Sequence, residues 1–350
     1  MRKSVKRTFI GLAIATPLIF TSHILHDVEH TGDNILEHGL KIIDWSKAEV
    51  KDNSATAPTL FASDDCVAPQ LVKQGEVYDC RFLSSVASFV STPRGQAAVR
   101  NMIDTRQSPP YSVTFAGVNA PIKVSPLSPL ERKMYAKAVN NLNQNGGDWL
   151  PVLEKAYGQY RNETQPPYFV FLRTIKHLIM EGRFSPQTRV PGYGATFGGT
   201  DDGAIKALTD HDTRDYSTFA YDCGDFGLGN GYVTARQIKS WFNRDKVRQE
   251  YLDEQDKVLQ EAHKRQAIVI ATSEQRTNCS AFGMRSGHAY AVIGYNPQIR
   301  CIKLRDPYGN GDFKLLTTGK PIDGVDDGVF ELSLHDFNVL FSHLRVEQQK

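Results

Sequence analysis

Helix signals come first along this chain and apolar strand signals come last, and that order constrains the fold more than any other feature. Small and apolar residues predict a buried helix over Cys80–Val90, and helical periodicity recurs at 148–160 and near 169–180. Residues 111–124 read as strand, 184–203 as a Gly- and Pro-rich loop, and 235–265 as a charged helix. Apolar strands are predicted at 268–272, 289–295 and 301–305. The pattern predicts an α+β protein of two lobes divided around Thr209–Tyr221, with a helical lobe at 63–210 and a β lobe at 211–350.

With 41 Lys plus Arg against 39 Asp plus Glu, the net charge is +2, which gives no field to hold nucleic acid. Five scattered cysteines make neither a disulfide scaffold nor a CxxC zinc site, and their odd number leaves at least one thiol free. Arg2, Lys3, Lys6 and Arg7 precede an uncharged run from Phe9 to Phe20. That layout predicts an export signal rather than a span, which needs about 20 apolar residues. Residues 1–22 are thus signal-like, with an uncleaved membrane anchor as the alternative. Membrane contact is expected only through this segment, and an exported or membrane-attached protein is expected in preference to a cytoplasmic one. Residues 23–62 read as a helical arm, with the apolar stripe Ile35, Leu36, Leu40 and Ile43, followed by a linker.

His26, Asp27, Val28, Glu29 and His30 match the H-x-x-E-H zinc pattern, but no domain precedes them to form a cleft, so a solvated helix face accounts for them. Cys80 is different. It stands at the start of the predicted buried helix, where the positive end of the dipole favours thiolate. A buried structural cysteine is the bland alternative. His288 opens one apolar strand and Asp306 follows the next; if the two pair as a hairpin, the carboxylate can hold the imidazole, completing a Cys/His/carboxylate set.

Four stretches in order, Gln74-Gly75 through Asp79-Cys80 with Phe82-Leu83, Trp149 through Leu153-Glu154-Lys155-Ala156-Tyr157, Gly287-His288-Ala289-Tyr290, and Leu304-Arg305-Asp306-Pro307-Tyr308-Gly309, resemble the calpains. A fifth, Asp327-Gly328-Val329-Phe330 with Asp336-Phe337, resembles the end of the calpain protease core. The resemblance implies a papain-like two-lobed cysteine endopeptidase acting on protein or peptide substrates. Cys80, His288 and Asp306 would be catalytic and Gln74 would serve the oxyanion hole. Gly198, Gly199 and Gly287 match positions that hold an extended peptide through its main chain.

Several residues depart from the calpain pattern. Tyr78 and Arg81 stand where Gly and Trp are usual, Asp306 replaces an Asn, and Tyr308 replaces a Trp. A carboxylate orients imidazole as an amide does. For calcium, Asp312 and Asp327 fall at ligand-like positions and Glu154 at another, but Leu71 and Val329 stand where further ligands belong. Activity without calcium, or with at most one weak site, is the expectation. Two alternatives stay open: a non-catalytic peptide-binding relative, and a papain-like deamidase or isopeptidase using the same triad.

Overall fold

The computed structural model describes residues 59–104, 106, 111–140, 145–164, 201–223, 235–273 and 279–349. The expected signal segment, most of the 23–62 arm, the helix near 169–180, Gly198 and Gly199 lie outside them. The protein is α+β, with helices gathered around one buried helix and three antiparallel sheets.

That buried helix, α1 (Cys80–Val90), has the residue range its composition predicts, and every residue from Phe82 to Val90 is buried. Burying each large apolar side chain contributes roughly 1.5–3 kcal/mol. Its serines explain why a helix buried on all sides tolerates polar groups. Ser84 Oγ donates to Ala289 O at 2.8 Å; Ser88 Oγ donates to Val292 O at 3.0 Å and accepts from Val269 N at 2.9 Å. A spacing of four residues puts both on the stripe that faces the sheet.

Around α1 stand α2 (Pro93–Met102), α3 (Pro129–Met134), α4 (Trp149–Thr164) and α5 (Asp201–Thr209). Thr92 starts α2 by accepting from Gly95 N, with Pro93 in the first turn, a start signal that is readable in the sequence. Phe82 of α1 stacks on Tyr157 of α4 with centroids 4.1 Å apart, and Trp149 Nε1 donates to Cys66 O at 3.1 Å, fixing α4 against the start of the lobe. Two small sheets complete this part: β1 (Val72–Lys73) pairs with β5 (Lys137–Ala138), and β2 (Ile103–Asp104), β3 (Tyr111–Val113) and β4 (Ile122–Val124) form a three-stranded sheet. The continuous strand expected at 111–124 is therefore a hairpin, broken where Gly117 meets α5.

The large sheet has the order β10-β9-β8-β7-β11-β6, from β6 (Asp212–Ser217), β7 (Val269–Ser273), β8 (Ala289–Asn296), β9 (Cys301–Arg305), β10 (Val329–Ser333) and β11 (Phe341–Gln348). Period-2 alternation divides it. Ile268, Ile270, Ala289 and Ala291 join the α1 core, whereas Val269, Ala271, Tyr290 and Val292 join a second core on the far face. Three further helices belong here, α6 (Phe219–Cys223), α7 (Ala235–Phe242) and α8 (Arg244–Lys264), with α9 (Leu334–Leu340) between the last strands. Leu259 and Ala262 of α8 and Phe337 and Leu340 of α9 line the second core. The single helix expected over 235–265 is two, because Asn243 leaves helical geometry and caps α8 by accepting from Lys246 N. All five cysteines are free thiols.

Candidate active site

The seating of α1 on the sheet sets where Cys80 falls. Ser88 lies over Val292 and Ser84 over Ala289, so one turn further back Cys80 comes beside His288, the residue just before β8. The i, i+4, i+8 stripe of α1 thus carries the thiol and its two anchoring hydroxyls. Cys80 is half-buried at the first position of the helix, where N–H groups have no intrahelical acceptor.

His288 is held by its own backbone. Its N–H donates to Ser273 Oγ at 2.9 Å, and its carbonyl accepts from Ser273 N at 2.9 Å. The β8–β9 ladder pairs Ala291 with Arg305, which brings His288 and Asp306 to the same end of the hairpin. His288 Nε2 lies 3.1 Å from Asp306 Oδ1. Cys80 lies beside the ring and acts on its charge, and with Nε2 committed to Asp306, Nδ1 is the nitrogen left for the thiol. Burial pulls the imidazole pKa down, but the hydrogen bonds and charges of Asp306 and Cys80 outweigh it and raise it to about 9. The ring stacks on Tyr308 with centroids 5.5 Å apart and meets Tyr290 edge-on at 5.1 Å. Tyr308 therefore covers the His288–Asp306 bond with an aromatic face.

Gln74 is buried, and its Nε2 donates to Val77 O at 2.7 Å, leaving one amide hydrogen of that nitrogen for another acceptor. Gly75 beside it admits no side chain, since a Cβ there would collide with Met134 O and Tyr135 O. Gly287 has φ +62° directly before His288. Tyr78 is exposed at the edge of this region.

The helical part and the large sheet are pinned together around the site. Gln74 N donates to Pro307 O at 2.7 Å, and Arg305 Nη2 donates to Gln70 O and Val72 O at 3.1 and 2.9 Å. At the other end of α1, Arg94 pairs with the buried Glu347 at 2.6 Å. The approach of Cys80 to His288 is thus fixed by protein hydrogen bonds.

The calcium candidates are placed as follows. Asp312 is fully buried, and its Oδ2 accepts from Asp327 N at 3.2 Å; Asp327 Oδ1 accepts from Val329 N at 2.9 Å. Burial, with Asp327 and Asp326 nearby, pushes the Asp312 carboxyl up to about 7. Glu154 Oε2 accepts from Ala136 N at 2.6 Å, far along the chain from this loop. Among the described residues, no group of three or more His, Cys, Asp or Glu side chains could hold a metal ion. Arg305 and Gln74 tie the helical part to the large sheet without a metal, so chelation with EGTA should leave the melting temperature unchanged; a fall restored by calcium would contradict this.

Two features of the site are not visible in the sequence. One is Arg285, which reaches Asp306. The other is a buried carboxyl pair, Asp79 and Glu154, directly behind Cys80. Among the described residues, both Asp79 oxygens and Glu154 Oε1 are buried with no hydrogen-bond partner outside the pair, an arrangement that favours one proton shared between the two carboxyls. Burial raises both, Asp79 to about 7. A raised folded pKa contributes stability that is complete below the unfolded value of about 4 and is lost as pH rises through about 7. The melting temperature should therefore fall between about pH 4 and pH 7 and level off above that, and Asp79→Asn should flatten the decline. An unchanged slope in thermal scans would remove the pair from the account. The Asp79-Cys80 dipeptide is plain in the sequence, but its distance to Glu154 is not.

No family model matches the chain, and no curated protein matches it.

Proposed function

We propose that this protein is a cysteine endopeptidase of the calpain-like, papain-related kind, with a two-lobed core and a protein or peptide substrate. One observation carries the reading: a buried imidazole bonded through Nε2 to Asp306, with the thiol of a helix-start cysteine beside it acting on its charge. A protonated His288 beside Cys80 favours thiolate. The Cys80 sulfur attacks the peptide carbonyl, and the oxyanion is met by the Cys80 N–H and the uncommitted Gln74 N–H. His288 Nδ1 gives its proton to the leaving amine, releasing the C-terminal product and leaving a thioester. It then takes a proton from the water that hydrolyses the thioester. Asp306 keeps the ring oriented throughout, as the orienting member of the triad. Gly287 supplies main chain next to the site, where a bound extended peptide would run.

Cleavage of a diverse peptide library tests the reading, with Cys80→Ser as the control. Internal cuts made by the wild type and absent from the control are expected. Ammonia release from glutamine side chains without backbone cuts would replace the reading with deamidation, and no thiol-dependent chemistry would reduce the site to peptide binding.

A further inference from the structure

Asp306 is fully buried and carries a second partner besides His288. Arg285 Nη1 lies 2.5 Å from its Oδ2, on the oxygen His288 does not use. The guanidinium is itself held in place. Nη1 donates to Asn310 O at 3.1 Å, Nη2 donates to Asn310 Oδ1 at 2.7 Å, and the group lies 4.5 Å from the centre of the Tyr308 ring. Gly311, at φ +84°, leaves room for it, since a Cβ there would sit 2.5 Å from Nη1. The Arg285 carbonyl accepts from Ser273 Oγ at 2.7 Å, the same hydroxyl that receives the His288 N–H. One short segment therefore sets both the imidazole backbone and the cation on its carboxylate.

We infer that Arg285 is a positioning residue for the Cys80–His288 pair: it anchors Asp306 in the orientation that holds the imidazole and offsets the carboxylate charge that an amide at this position would not carry. The inference rests on the peptidase reading. A buried carboxylate facing only an imidazole would hold that ring's proton more tightly and rotate more freely. With Arg285 on Oδ2, Oδ1 stays on Nε2, and the amide N–H of Tyr308 fixes it further at 2.8 Å. The arginine and the acid form a matched set. Other charged or titratable groups around the ring are Cys80 and Asp79 from the α1 start, Tyr290 on β8, Arg305 at the end of β9 and Tyr308 in the following loop, and none of them hydrogen-bonds Oδ2 among the described residues.

The test is a cycle of four full-length proteins: wild type, Arg285→Met, Asp306→Asn and the double variant. Arg285 is partly exposed, so Arg285→Met should keep its fold, which thermal scans verify. Arg285→Met should lower kcat/KM about 10–100-fold and move the alkaline limb of the pH profile upward, because His288 then faces an unshared carboxylate. Asp306→Asn should move that limb downward. The double variant, a neutral amide with no cation, should recover to within a few fold of wild type. The same shifts, read as the His288 C2-proton titration by NMR in a Cys80→Ala background, require no turnover. Additive losses, or an unmoved His288 titration in Arg285→Met, would overturn the inference while leaving the peptidase reading intact. A fully active Cys80→Ala protein would instead overturn that reading, and the titration would still judge Arg285.

Discussion

Cys80→Ala and His288→Ala should each lower kcat/KM by about 10⁴-fold or more, and the double variant should be no worse than either alone. The reason is that the two groups act as one unit. Without His288 the thiol has no base on its Nδ1 side, and without Cys80 the imidazole has no nucleophile to serve. Folding should not confound the measurement, because Cys80 is only half-buried and Ala suits a helix start. Steady-state kinetics on a peptide cut by the wild type make the comparison. Losses that multiply in the double variant would mean that the residues contribute separately, and the triad would be the wrong description.

The second large effect concerns Arg305. Its guanidinium is buried and joins Gln70 O and Val72 O of the helical part to Asp327 O of the sheet part. Burial lowers its pKa to about 10, which still leaves it charged at neutral pH. Arg305→Met should destabilise the protein by roughly 3 kcal/mol, since buried carbonyls lose their donors, and the melting temperature should fall by about 6–12 °C. Turnover should fall as well, because Asp306 and Pro307 follow directly and Pro307 O anchors Gln74. Arg305→Lys should recover less than half of the stability, as one ammonium cannot reproduce the fork that reaches three carbonyls. A variant that melts with the wild type would show that the helical part and the large sheet are held by apolar contact alone.

What is legible in the sequence follows from local chemistry. The α1 boundaries can be read because Phe82–Val90 is a charge-free run of small and apolar residues with one natural environment, a buried helix, and the β8–β9 hairpin because β8 is apolar over Ala289–Tyr295 while β9 sets buried Ile302 and Leu304 either side of exposed Lys303. Those two elements carry Cys80, His288 and Asp306, so the order of residues along the chain is enough to name the centre of the candidate site. Strand β6 cannot be seen that way: Asp212–Ser217 is polar, sits at the sheet edge and shows no clean alternation. The break at Asn243 is hidden for another reason, since helical charge patterning runs on through both flanking helices. Arg285 and the Asp79–Glu154 pair are illegible because each depends on a tertiary approach, and no periodicity links residue 285 to 306 or residue 79 to 154. Gly198 and Gly199 fall outside the described residues, so their peptide-binding role stays where the resemblance put it.

The central claim is that His288 holds Cys80 in a reactive, charge-paired form, and the rate of Cys80 alkylation by iodoacetamide at pH 6, resolved by peptide mass spectrometry, tests it most directly. At that pH an ordinary thiol is less than about 1% thiolate. In the wild type Cys80 should react far faster than Cys66, Cys223, Cys279 or Cys301, and His288→Ala should bring it down to the rate of an ordinary thiol. A Cys80 that reacts slowly at pH 6, and at the same rate with or without His288, would contradict the account.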